Sequence, residues 1–148
     1  MKAFDTTSLP HKVRLSGSDC FHLVLDRHAR RHNSGSNVMR IVFYFDRRIT
    51  AQKIKEHLER SPLIYWLCNI TLVPGSLLTI PYWKYKDEGR QVIISEHHHD
   101  VLNDIPELVM KRDIPIDAQR FIDCDIIHYT AHSAVVISWN HIVMDGRG

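Results

Sequence analysis

At 148 residues, with 44% apolar and 24% charged side chains, the chain has the size and composition of one ordinary globular domain, which excludes disordered and fibrous classes. A formal net charge of +2 gives no electrostatic ground for nucleic acid or an anionic membrane as partner. Cys20, Cys68 and Cys124 are odd in number and widely spaced, and no apolar stretch suits a signal peptide or a bilayer span, so the expectation is a soluble protein of the reducing cytoplasm.

In chain order, the basic cluster Arg27, Arg30 and Arg31 in "DRHARRHNSGS" lies beside Asn, Ser and Gly and reads as a solvated loop rather than a phosphate site. "NVMRIVFYF" (37–45) is rich in β-branched and aromatic residues and predicts a largely buried strand. In "ITAQKIKEHLERSP" a helix is expected, with Thr50 as N-cap, Ala51, Ile54 and Leu58 on one face, and Glu56 and Arg60 as an i,i+4 pair. Pro62 closes it. "LIYWLCNITLV" and "LLTIPYWKY" read as strands around the turn Pro74–Ser76.

"ISEHHHDVLNDIPELVMKRD" begins polar and predicts a short helix near Ile105–Lys111. Its His97, His98, His99 and Asp100 are of zinc-ligating type, but successive extended residues project alternately and at most His97 and His99 share a face. A solvated loop is the plainer reading. "RFIDCDIIHY" and "SAVVISWNH", joined by Thr130 to Ser133, predict an antiparallel hairpin. In its second strand Val135, Ile137, Trp139 and His141 share one face, and Ala134, Val136, Ser138 and Asn140 the other. No internal repeat or low-complexity segment interrupts this order. Together these elements predict a layered α+β domain with helices on one face of a mostly antiparallel sheet.

The chemistry concentrates in "NHIVMDG". His141 stands at a strand end, with Asp145 four residues on and Gly146 behind it. Histidine ordinarily titrates near neutrality and can take a proton from an attacking hydroxyl or amine. A glycine beyond it permits the sharp turn that brings Asp145 back toward the strand. The plainer alternative is a surface turn whose His141 and Asp145 satisfy backbone groups. His128 reads as a packing residue, and Trp66, Trp83 and Trp139 as core or rim aromatics, Trp139 with the alternative of lining an acyl path. With no Gly-x-Ser-x-Gly elbow and no Gly-rich phosphate loop, hydrolase and nucleotide-binding readings have no support.

"NHIVMDG" resembles the His-x-x-x-Asp-Gly signature of the CoA-dependent acyltransferase superfamily. That superfamily includes chloramphenicol acetyltransferase, the condensation domains of nonribosomal peptide synthetases, plant BAHD acyltransferases and wax ester synthases. "KVRLSGSDCFHLVL" is similar to the opening of condensation domains. "IVFYFDRRITAQKIKEHLERSPLIYW", with Arg60-Ser61-Pro62-Leu63, is similar to their first strand and helix, and "DIPIDAQRFIDCDIIHYTAHSAVVISWNHIVMDG" to the hairpin that delivers the catalytic histidine.

The resemblance implies a chloramphenicol acetyltransferase-like α/β sandwich. It makes His141 the general base, Asp145 its structural support and Gly146 the turn. No cofactor would be held permanently. The donor would be acyl-CoA or an acyl-phosphopantetheine, the acceptor a hydroxyl or amine, and an acyl or peptidyl carrier protein a partner. It also implies that residues 1–148 are the N-terminal lobe, truncated at the C-terminus, with a C-terminal lobe completing the substrate tunnel. A condensation-like module that binds a carrier protein or sibling domain without chemistry is the alternative. One departure stands out: the superfamily often has histidine just before the catalytic one, where this chain has Asn140.

Overall fold

A computed structural model describes residues 9–116 and 120–144. Asp145 and Gly146 lie outside the described residues.

The first strand, β1 (Lys12–Arg14), leads into helix α1 (Gly17–Arg31). A reciprocal cap starts this helix: Asp19 N donates to Ser16 Oγ at 3.2 Å and Ser16 N to Asp19 Oδ2 at 2.6 Å. Arg27, Arg30 and Arg31 therefore belong to a helix, not to the expected loop. Arg30 lies beside the carboxylates of Asp26 and Asp113, with Asp26 fully buried.

Strand β2 (Val38–Phe45) forms where expected, but it is an edge strand rather than a largely buried one. Met39, Ile41 and Phe43 are 39%, 45% and 47% exposed along one of its faces. Helix α2 (Ala51–Glu59) follows Thr50, whose backbone is extended as an N-cap requires but whose side chain makes no capping bond. Glu56 accepts a hydrogen bond from Gln52 Nε2 at 2.9 Å rather than pairing with Arg60.

Pro62 both stops α2 and starts α3 (Pro62–Cys68). It occupies the first turn, where its missing N–H costs nothing, and Ser61 Oγ accepts from Ile64 N at 3.4 Å. "LIYWLC" is thus helical, a correction to the expected strand. The strand begins only after Asn69, as β3 (Ile70–Val73), and pairs with β4 (Tyr82–Tyr85).

β5 (Ile93–His98) carries two of the three consecutive histidines, so that segment is a strand and not a loop. The last elements are the short α4 (Glu107–Met110) and the predicted hairpin, β6 (Ile122–His128) with β7 (Ser133–Asn140).

Two sheets result: an antiparallel β1-β4-β3, and a mixed β2-β7-β6-β5 in which only β5 and β6 run parallel. Leu23 of α1 and Trp66 and Leu67 of α3 pack with Cys124, Val135 and Trp139 of the large sheet in the main core. Against its other face Val109 of α4 meets Ile127, Ala134 and Val136 in a smaller cluster. β6 and β7 are consequently buried on both sides, and the end of β7 is a rigid place to mount a side chain. The architecture is α+β, as the element order predicted. No helix among the described residues is long and apolar enough to cross a membrane.

Candidate functional site

The site is built at the turn where β7 ends. Asn140 is its keystone: fully buried, it donates from Nδ2 to the Ile114 carbonyl at 2.8 Å and accepts from Ile142 N at 3.1 Å. Its backbone carbonyl accepts from Val143 N at 3.0 Å, closing the turn. Trp139 reinforces it from the other face, its indole N–H reaching the Met144 carbonyl at 2.9 Å. The residue that departs from the resembled motif is therefore the one that clamps this chain's turn, a job an amide does well because it offers both a donor and an acceptor.

His141 follows directly. Its backbone N–H donates to Asn37 O at 2.8 Å, extending the β2–β7 pairing by one rung and fixing where the imidazole begins. The residue is partly exposed, neither sealed in the core nor standing free. Its Nδ1 lies 3.0 Å from Nδ1 of His22 in α1, with the ring planes 87° apart and centroids separated by 4.1 Å. Asn37 ties the same two elements together, since its Nδ2 donates to the His22 carbonyl at 3.5 Å. Phe21 stacks edge-on against His22 at 5.8 Å.

His22 was invisible to sequence reasoning. It lies 119 positions from His141 on a helix that was itself not foreseen, and no spacing rule links the two. Asp145 and Gly146, the other residues of the predicted site, lie outside the described residues.

The histidine run serves elsewhere. His97 Nε2 is 2.7 Å from Asp125 Oδ1 and His99 Nε2 is 2.9 Å from Asp104 Oδ2, so the two address different carboxylates. Among the described residues no group of three or more His, Cys, Asp or Glu could hold a metal ion. His128 Nε2 approaches Glu96 Oε2 at 2.7 Å, in keeping with a structural role.

On the second face of the large sheet, Asp123 and Asp125 are buried beside Arg112, which donates to Asp125 Oδ2 at 2.8 Å. Burial pushes the Asp123 carboxyl above its ordinary value, against the pull of Arg120 and Arg112. Arg40 donates to the Val109 carbonyl at 3.2 Å and to the Arg112 carbonyl, tying α4 to the edge strand. This network holds layers together and faces away from His141. All three cysteines are unpaired; Cys68 and Cys124 are poor nucleophiles, because burial pushes their thiols up to about 11 and about 12, while Cys20 is partly exposed on α1.

No family model matches the sequence, and no curated protein matches it either. Solved structures do. The fold is that of condensation domains, and three of the similar structures can be named. The first condensation domain of the calcium-dependent antibiotic synthetase superposes with a TM-score of 0.66 at 13% identity, over 90% of this chain and 34% of that one. The X-domain from teicoplanin biosynthesis gives 0.67 at 12% identity, over 91% of this chain and 29% of that one. The starter condensation domain of the rhizomide synthetase gives 0.66 at 7% identity, over 93% and 34%. The chain thus spans about a third of the length of the structures it matches, and the likeness is one of fold.

Proposed function

We propose that this chain is the N-terminal lobe of a condensation-type acyltransferase and that His141 is its general base. A hydroxyl or amine acceptor would lose its proton to the imidazole as it attacks the carbonyl of an acyl thioester. The new C–O or C–N bond forms, the C–S bond breaks, and the thiolate leaves with a proton returned from the histidine. No acyl-enzyme is needed. The donor is the phosphopantetheine thioester of a carrier protein, or coenzyme A, which carries the same arm. By the resemblance, Asp145 would be the structural support of the base and Gly146 the turn residue.

The observation that carries this reading is the placement of His141: partly exposed on the rim of a doubly buried strand, with its backbone pinned to Asn37 at 2.8 Å. A base so mounted keeps its position through a reaction cycle, and positioning is a large part of what such catalysis requires. The apolar face of Met39, Ile41 and Phe43 runs along β2 from the same end, since Met39 pairs with Trp139. It offers one wall of a cleft that a C-terminal lobe would complete. The unpaired cysteines agree with a reducing cytoplasm.

The test uses the full-length protein with both lobes. His141→Ala should lower the rate of thiol release from acyl-carrier or acyl-CoA substrates by about 10²–10⁴-fold, the usual contribution of a general base. Unchanged turnover would leave only a binding module.

A further inference from the structure

Away from His141, we infer that the β3–β4 hairpin docks the protein on an anionic bilayer: its tip, Leu77 and Leu78, enters the lipid surface, and the basic face of the small sheet behind it meets the headgroups. The tip is apolar where folding has no use for it. Leu77 and Leu78 are fully exposed and Ile80 is more than half exposed, and none of the three belongs to either core cluster. Two-residue hairpin turns are ordinarily filled by Asn, Asp or Gly, so a Leu-Leu pair gains nothing for the turn itself.

The turn holds the two leucines out. Ser76 N donates to Thr79 O at 3.1 Å and Thr79 N to Ser76 O at 3.2 Å, which makes Leu77 and Leu78 the central residues of a closed turn. The hydroxyls of Ser76 and Thr79 lie 2.8 Å apart; Thr79 Oγ1 also accepts from Ser76 N at 2.9 Å, and Ser76 Oγ from Leu78 N at 3.3 Å. A Cβ on Gly75 would run into the Thr79 carbonyl oxygen, so the two arms approach closely. Side chains presented by a turn this closed enter an apolar phase with little ordering left to lose.

The hairpin runs on past the last pair of its sheet, Val73 with Tyr82. On the solvent face of that sheet lie Lys12, Arg14 and Lys84, all exposed, with Thr71, Val73 and Tyr82 between them. Trp83 and Tyr85, which alternate with these residues, are buried in the core. These strands put no carboxylate on the face, and among the described residues none of the three cations forms an ion pair. Lys12 Nζ sits 4.0 Å from the centre of the Tyr82 ring, which keeps one charge at the foot of the hairpin. A whole-chain charge of +2 averages this local field away.

The surface suits lipid better than protein. Three apolar side chains on a protruding turn fall far short of the roughly 800 Å² per partner of a stable protein interface, whereas a bilayer closes around a protrusion. Charge of one sign on flexible stems matches mobile anionic headgroups, and a tyrosine is at home at their level.

The test is flotation of the full-length protein with vesicles of phosphatidylcholine alone, or of phosphatidylcholine and phosphatidylglycerol in equal parts. The protein should float with the anionic vesicles and only weakly with the neutral ones. Leu77→Ser/Leu78→Ser should lower the partition coefficient about 10- to 100-fold while leaving the urea midpoint of unfolding where it was. Lys12→Gln/Arg14→Gln/Lys84→Gln should remove most of the preference for anionic vesicles, at about fivefold per charge. No flotation with anionic vesicles, or flotation equal in the parent and both variants, would overturn the inference. So would a marked fall in the unfolding midpoint of the leucine variant, which would place the tip against another part of the chain. A lipid-free dimer that the leucine variant dissociates would do the same, by making the tip a contact between copies.

Discussion

Asn140→Ala isolates what holds the turn that carries His141. The side chain is fully buried and makes two bonds, to the Ile114 carbonyl at 2.8 Å and from Ile142 N at 3.1 Å. Ile114 and Ile142 are themselves buried, so water has little access to replace either partner. After truncation the Ile114 carbonyl keeps only a long contact from Arg30 Nη2 at 3.5 Å, and the Ile142 N–H keeps nothing of the amide that served it. Each orphaned group costs roughly 1–3 kcal/mol, so the pair amounts to about 2–4 kcal/mol once the Arg30 contact is credited. For a domain near this size that is a fall of roughly 5–15 °C in melting temperature. Urea unfolding followed by far-UV circular dichroism gives the free energy and thermal melts give the shift. A loss under about 0.5 kcal/mol would mean that the amide is not what closes the turn, and the account of how His141 is placed would fail with it.

Two further consequences concern buried charge. Arg30→Ala removes the cation beside Asp26, which is fully buried, and should destabilise the fold by roughly 3–5 kcal/mol, far more than loss of a surface pair; recovery in the Arg30→Ala/Asp26→Asn double variant, measured by the same unfolding assay, would separate the stranded charge from lost packing. Asp123→Asn should raise the melting temperature at neutral pH. Because burial holds the Asp123 carboxyl above its ordinary value, its charged form costs more in the folded state than in the unfolded chain, and the folded state keeps the proton to a higher pH. Stability is therefore lost as pH rises above the unfolded value of about 3.9, and the advantage of the asparagine should vanish below roughly pH 3. An asparagine variant less stable than the parent at pH 7 would show that the pairing with Arg120 and Arg112 outweighs the burial.

The hairpin was legible because its information is local. β6 and β7 alternate cleanly, their connection is short, and the predicted sharing of faces by Val135, Ile137 and Trp139 against Ala134 and Val136 matches the two core clusters. Other elements depended on signals that pointed two ways. Pro62 reads as a stop, yet the residue that ends one helix is favoured at the first turn of the next, and "LIYWLC" is apolar enough for either strand or helix. α1 was missed although its Ser16–Asp19 cap is a local signal, because the polar, basic end of the helix reads as a loop. β5 looked like a loop because its polar side chains find partners far along the chain, His97 with Asp125 and Glu96 with His128. The same non-locality hid His22, whose only link to His141 is the fold itself.

A fold shared with structures at 7–13% identity cannot depend on many side chains in common. It depends on a pattern of burial and on where the backbone is tied. At the end of β7 those ties are a β2 carbonyl receiving His141 N, an indole N–H reaching Met144 and an amide bridging Ile114 to Ile142. None of them uses the imidazole. The placement of His141 is thus separate from its chemistry: replacing the ring removes the contact with His22 but leaves these three anchors in place. That separation is what makes His141→Ala a clear question to put to the full-length protein, because a variant that keeps its melting temperature and loses thiol release has lost what the imidazole does and not the turn that carries it.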